Sequence, residues 1–175
     1  MALTGLLGGT FNPIHNGHLR AAEEVMKYFP LDRILFIPSY IPPHKDQKEV
    51  VPACHRWRMV EIACQGKPGF IPSDLEIKSP GPSYSILTLR KLKEIFPEDI
   101  FWFIVGSDAF LEIETWKDYN QLLKECSFIV VRRPGCELEK LDKVIDRIKP
   151  ELLVRINKRE KTEVKEHKRS GLYLL

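Results

Sequence analysis

Apolar and polar positions divide this chain into short apolar runs separated by stretches of helical spacing. Residues 2–7 are mostly apolar and end at Gly8-Gly9, and Pro13 stops any extended continuation. Leu19, Ala22, Met26 and Phe29 then recur every three to four residues, which predicts an amphipathic helix. Residues 33–38 (RILFIP) form a second apolar run closed by Pro, followed by a loop rich in Pro and charge. Ala53, Trp57, Val60 and Cys64 mark a helix over about 53–64, and residues 70–77 a candidate strand weakened by Pro72. Over 83–96, Ser83 is a plausible cap and Ile86, Leu89, Leu92 and Ile95 share one face. The most hydrophobic stretch, 99–106 (DIFWFIVG), lacks alternation, as a strand covered on both faces should. A helix over 115–125, a strand over 127–132, a helix over 138–148 and a last strand over 152–156 complete the pattern. Strands and helices thus alternate, which predicts one α/β domain over 1–157, Rossmann-like and doubly wound around a mostly parallel sheet. Residues 158–175 hold six basic and three acidic residues before a small apolar end, and read as a charged tail, a solvated face or a frayed terminus.

Composition narrows the classes. The 175 residues are 43% hydrophobic and 29% charged, as in an ordinary globular domain. A net charge of only +3 gives no bulk case for nucleic-acid binding, so anions would have to be held by local charges. Cys54, Cys64, Cys126 and Cys136 show neither a C-x-x-C pair nor metal-ligand spacing, which fits a reducing compartment. No basic-then-apolar leader precedes the first strand, and no apolar run approaches the ~20 residues of a membrane span. The expected location is the cytoplasm, with no membrane partner; a homo-oligomer stays open.

The chemistry is concentrated in residues 8–25, GGTFNPIHNGHLRAAEEV. Gly8 and Gly9 let the backbone approach a ligand, and His15 and His18 lie three apart at the start of a helix, near its positive end. Each piece alone is an ordinary turn or cap. Together they describe a site for an anion such as a phosphate chain. A transition metal on the two imidazoles would need a third ligand, and none is close in sequence. In an open parallel sheet the ligand sits beyond the carboxyl ends of the strands, where strand order reverses, so Gly106 and Asp108 should flank this loop. There Gly106 would admit a base or ribose and Asp108 would accept from a ribose hydroxyl, although glycine and aspartate are common in turns. Lys45, after Pro42-Pro43-His44, is either a solvent-loop charge or a mobile phosphate ligand.

The wording G-G-T-F-x-P-x-H-x-G-H-L resembles the signature of the H-x-G-H nucleotidyltransferase superfamily, and within it the bacterial nicotinate-nucleotide adenylyltransferases. It is similar to a lesser degree to phosphopantetheine adenylyltransferases and cytidylyltransferases. The resemblance implies an enzyme of pyridine-nucleotide (NAD) biosynthesis that transfers adenylate from ATP to nicotinate mononucleotide, releasing pyrophosphate. It implies no covalent enzyme intermediate, Mg²⁺ carried with the ATP and no protein-held metal. His15 and His18 would be catalytic, and Gly8, Gly9, Thr10, Phe11, Lys45, Gly106, Asp108 and Arg133 would hold ATP and phosphate. The segments SYSILTL and GSDAFLEIETW match the family's nicotinate-holding pieces, giving Tyr84, Ser85, Thr88 and Trp116; a helix-start Thr and a Trp are otherwise cap and core residues. The alternatives are a related transferase with another phosphate acceptor, such as phosphopantetheine, and a nucleotide-binding protein with reduced catalysis. One departure stands out: the family's C-terminal I-S-S-T-x-I-R type phosphate clamp is missing after Asn157. A shortened chain, substitution by Lys168 and Arg169, or reduced activity would each account for it.

Overall fold

The computed structural model describes residues 1–43, 47–133, 135, 138–148, 153–155 and 171–175. Strands β1 (Leu3–Gly9), β2 (Arg33–Pro38), β3 (Phe70–Pro72), β4 (Ile100–Gly106), β5 (Ser127–Val131), β6 (Leu153–Arg155) and β7 (Leu172–Leu174) form one sheet. Its order is β3-β2-β1-β4-β5-β7-β6, and every neighbouring pair is parallel. Helices α1 (Asn16–Tyr28), α2 (Ala53–Cys64), α3 (Ser85–Ile95), α4 (Ser107–Phe110), α5 (Tyr119–Glu125) and α6 (Leu138–Ile148) supply the covering layers.

Alternation along the strands sorts the apolar residues into two cores. Leu6, Leu35, Phe103 and Phe128 point to one face, where they meet Ile86, Leu89 and Leu92 of α3, Leu122 of α5 and Leu141 and Ile145 of α6. Leu7, Phe36, Trp102 and Ile129 point to the other, against Ala22 and Val25 of α1 and Val60 and Cys64 of α2. A sheet covered on both faces explains why β4 shows no polar alternation. Strand order reverses between β1 and β4, so the crevice at that switch point opens beyond Gly9 and Gly106. The opposite rim is closed: Asp99 accepts from Arg33 Nη2 at 2.6 Å, Thr4 Oγ1 at 3.1 Å and the Ala2 amide at 2.9 Å.

Several boundaries differ from the sequence expectation. β3 ends at Pro72 rather than 77, because residues 75–78 turn. The helix expected over 115–125 is a 3₁₀ turn (Ile113–Thr115) and then α5, separated by Asp118 in the left-handed region at φ 52°. Ile95 lies on the solvent side of the last turn of α3, 54% exposed. The strand expected last is β6, but β7 follows it from within the stretch expected as a tail. There Tyr173 stacks on Trp102 at 4.8 Å between centroids, so residues 171–175 belong to the core. The charged residues 158–170 of that stretch lie outside the described residues. Among the described residues no helix is long and apolar enough to cross a membrane.

Candidate functional site

The switch point holds a cleft of about 370 Å³. One wall is Gly8, Gly9, Thr10 and His18, from the end of β1 and the first turn of α1; Gly106, Asp108 and Arg133, from the ends of β4 and β5, close the base. Tyr84 and Ser85 at the start of α3, with Trp116 and Lys117, form the far wall, and Ser39, Pro42 and Pro43 run between the two.

His15 and His18 build the start of α1. His15 is the N-cap, and its Nδ1 accepts the Gly17 amide at 3.1 Å, while His18 Nδ1 accepts the His15 amide at 3.2 Å. A ring nitrogen that accepts an N–H carries no hydrogen, so in each neutral imidazole the hydrogen sits on Nε2. The rings lie 3.8 Å apart between centroids, and Phe11 meets the His18 ring edge-on at 5.1 Å. A side chain at position 17 would displace the exposed His15 ring, because a Cβ there falls 2.9 Å from its Cε1.

Two of the predicted residues of this loop lie outside the cleft. His15 is exposed beside Ile14, Leu19, Met59 and Ile62 on the outer side of α1, so it touches the cleft only through His18. The Phe11 ring is 2% exposed against Phe36 and His18, because its left-handed backbone at φ 46° turns it into the core. Lys45 and His44 lie outside the described residues.

At the base, Asp108 and Arg133 pair at 3.1 Å, and the Arg133 amide donates to the buried Ser107 hydroxyl at 3.0 Å. The pair folds over Gly106, where a Cβ would collide with the Asp108 carboxylate and lie 2.7 Å from Arg133 Nε. Glycine here keeps the end of β4 low enough for both side chains to cross it.

On the far wall, α3 begins at Tyr84 without a side-chain cap, and its first intrahelical donors are Leu87 and Thr88, both to the Tyr84 carbonyl. The first-turn amides before them, Ser85 and Ile86, are the orphan donors of a helix start. Thr88, expected to hold the nicotinate, does not line the cleft: it is 5% exposed, and its hydroxyl donates to Glu76 at 2.5 Å. Glu76 lines the cleft instead, and burial raises its carboxyl above the ordinary range against the hydrogen bonds of Thr88 and Ser83. Lys117 Nζ lies 4.8 Å from the Tyr84 ring centroid and adds a cation beside Trp116.

Arg56 supports the site from behind. It is 1% exposed and donates to three carbonyls: Val51 at 2.7 Å, Thr10 at 2.7 Å and Tyr40 at 3.1 Å. Burial holds its pKa below the ordinary guanidinium value. Asn12 adds a second strap, donating to Glu49 O and accepting from the Val51 amide, each at 3.0 Å. Arg56 falls at the spacing of Ala53, Val60 and Cys64, so a charge on an apolar stripe was its sequence signal. Lys117, Glu76 and Ser39 carried none.

The sequence profile of the cytidylyltransferase-like family matches residues 6–168. The chain is 52% identical over 134 residues to a probable nicotinate-nucleotide adenylyltransferase of Geobacter sulfurreducens, covering 77% of this chain and 62% of that protein. It is 49% identical over 138 residues to the like-named protein of Geotalea uraniireducens, covering 79% and 64%. The chain thus spans less than two thirds of the length of these relatives. Among solved structures, the Plasmodium falciparum nicotinic acid mononucleotide adenylyltransferase complexed with NaAD superposes with a TM-score of 0.75 at 19% identity. That match covers 100% of this chain and 75% of that one, and it shows a shared fold. With its parallel sheet, its switch-point cleft and a profile match over most of its length, the chain belongs to the cytidylyltransferase-like family.

Proposed function

We propose that the chain transfers adenylate from ATP to nicotinate mononucleotide, giving nicotinate adenine dinucleotide and pyrophosphate, as the names of its relatives indicate for them. The observation that carries this reading is the two-walled cleft, with imidazole at the start of α1 and uncapped amides, an indole and an ammonium at the start of α3. A phosphate oxygen of the acceptor attacks the α-phosphorus of ATP, the bond to the bridging β-oxygen breaks, and the electron pair leaves with pyrophosphate. No side chain need be a nucleophile, because positioning and charge stabilisation suffice for this transfer.

His18 Nε2–H and the Thr10 loop stabilise the charge at the α-phosphate, a role worth about 3–4 kcal/mol for one preorganised donor. His15 holds His18 in place. Gly106 lets the Asp108–Arg133 pair cross the end of β4, and that pair meets ribose hydroxyls and phosphate. Trp116 and Tyr84 pack the pyridine, while the Ser85 amide with Lys117 receives its carboxylate. Mg²⁺ would supply charge neutralisation on the triphosphate.

A panel of acceptors with MgATP tests this reading. Nicotinate mononucleotide should release pyrophosphate fastest, ahead of nicotinamide mononucleotide and phosphopantetheine. Faster turnover of phosphopantetheine would overturn the acceptor assignment, and tight nucleotide binding without pyrophosphate would favour a binding protein.

A further inference from the structure

Glu76 is a carboxyl on the cleft wall that the transfer itself does not use. It comes from the turn that follows β3, yet it holds α3 at two places. Thr88 Oγ1 donates to its Oε1 at 2.5 Å, and the Ser83 hydroxyl donates to the same carboxyl. Thr88 also lies 3.3 Å from the Tyr84 carbonyl four residues back, the usual partner of a helical Thr, but its one hydrogen follows the shorter bond to Glu76. Residues 83 and 88 bracket Tyr84 and Ser85, the pair that belongs to the far wall. Since Tyr84 gives α3 no side-chain cap, the clamp on this first turn comes from Glu76, outside the helix.

The clamp is anchored on both sides. Ser83 Oγ accepts the Tyr40 amide at 2.9 Å, the Ser83 amide donates to the Ile41 carbonyl at 2.9 Å, and the Tyr40 carbonyl is held by Arg56. Three residues past Thr88, Lys91 Nζ donates to Ser79 Oγ at 2.7 Å, and that hydroxyl donates to the Leu75 carbonyl at 2.7 Å, which docks the Glu76 turn on α3 a second time. Packing does not ask for an acid here. Burial raises the carboxyl against the opposing effects of the two hydroxyls and Lys91, so folding loses stability when Glu76 ionises. A group kept at that cost on a cleft wall serves the cleft.

We propose that Glu76 is a positioning residue for acceptor recognition, gripping Ser83 and Thr88 so that Tyr84 and the Ser85 amide stay presented to the cleft. The proposal rests on the adenylyl-transfer reading, in which those two residues receive the pyridine ring and its carboxylate. Glu76 acts through α3 alone. Arg56 holds the Thr10 carbonyl by a separate bond at 2.7 Å, so the triphosphate side keeps its geometry without the clamp.

The test compares Glu76→Gln and Thr88→Val with the parent chain in steady-state kinetics, in thermal unfolding and in the backbone amide NMR spectrum without ligand. Glu76→Gln removes the charge and leaves one acceptor for two hydroxyls, and Thr88→Val removes one donor at nearly constant shape. Each should raise the KM for nicotinate mononucleotide about five- to tenfold, with kcat and the KM for ATP within about twofold, and the double variant should exceed either single one only slightly. Glu76→Gln should melt at the same temperature or higher, and the Ser85 and Ile86 amide signals should shift while that of Gly17 holds. A purely structural role would instead lower the melting temperature and impair both substrates together. An unchanged KM for the mononucleotide, an equal rise for ATP, or a clearly lower melting temperature in Glu76→Gln would each overturn the proposal. Unmoved Ser85 and Ile86 signals would overturn the clamp whatever the substrate, whereas a parent chain that turns over no mononucleotide would bring down the adenylyl-transfer reading on which the proposal stands.

Discussion

The starts of α1 and α3 face the same cleft, and they present opposite surfaces to an anion. At α1 the backbone donors are occupied: His15 takes the Gly17 amide and His18 takes the His15 amide. Tyr84 at α3 provides no side-chain cap. The first end therefore speaks to a ligand through imidazole Nε2–H, the second through peptide N–H and the helix dipole. An imidazole pinned by the His15 amide presents a preorganised donor where charge develops at phosphorus, whereas peptide amides suit a carboxylate whose charge never changes. The difference assigns chemistry to one wall and recognition to the other.

Three substitutions probe this division, in falling order of effect. His18→Ala should lower kcat by about 10²–10³, with the KM for nicotinate mononucleotide changed only a few-fold, as for other preorganised donors. A dominant rise in KM would move His18 to the recognition wall. Ser85→Pro removes one amide at the first helical position, where Pro is well tolerated, and Tyr84 at φ −104°, ψ 126° already has the extended backbone a following Pro requires. Its expected result is about a tenfold higher KM for nicotinate mononucleotide, with ATP kinetics and melting temperature held. An unchanged KM would show that the α3 amides do not receive the carboxylate. The mildest change, His15→Ala, should cost about 1 kcal/mol of stability through the lost cap, and His15→Asn should restore most of it. If His15→Ala slows turnover as much as His18→Ala, the outer ring takes part in the chemistry after all.

The same contrast shows what could be read along the chain. Residues 33–38 and 138–148 match their strand and helix, because an apolar run closed by Pro and a regular apolar stripe are strong local signals. The glycine loop, Gly106, Tyr84, Ser85 and Trp116 all reach the cleft, since they belong to segments with a recognisable spacing. Thr88 and Phe11 share those segments but turn inwards, and spacing cannot tell which way a side chain points. β7 has only three residues, Leu172–Leu174, too few for a period, and its place between β5 and β6 follows from non-local pairing. Ser39, Glu76 and Lys117 were invisible for a related reason: each gains its meaning from an element distant in sequence.

Phosphorus NMR of MgATP, nicotinate mononucleotide and the chain tests the central claim, that the cleft directs attack at the α-phosphorus. The account predicts paired growth of dinucleotide and free pyrophosphate signals in equal amounts, with no ADP. Formation of ADP and inorganic phosphate instead, or ATP left intact beside bound mononucleotide, would contradict it.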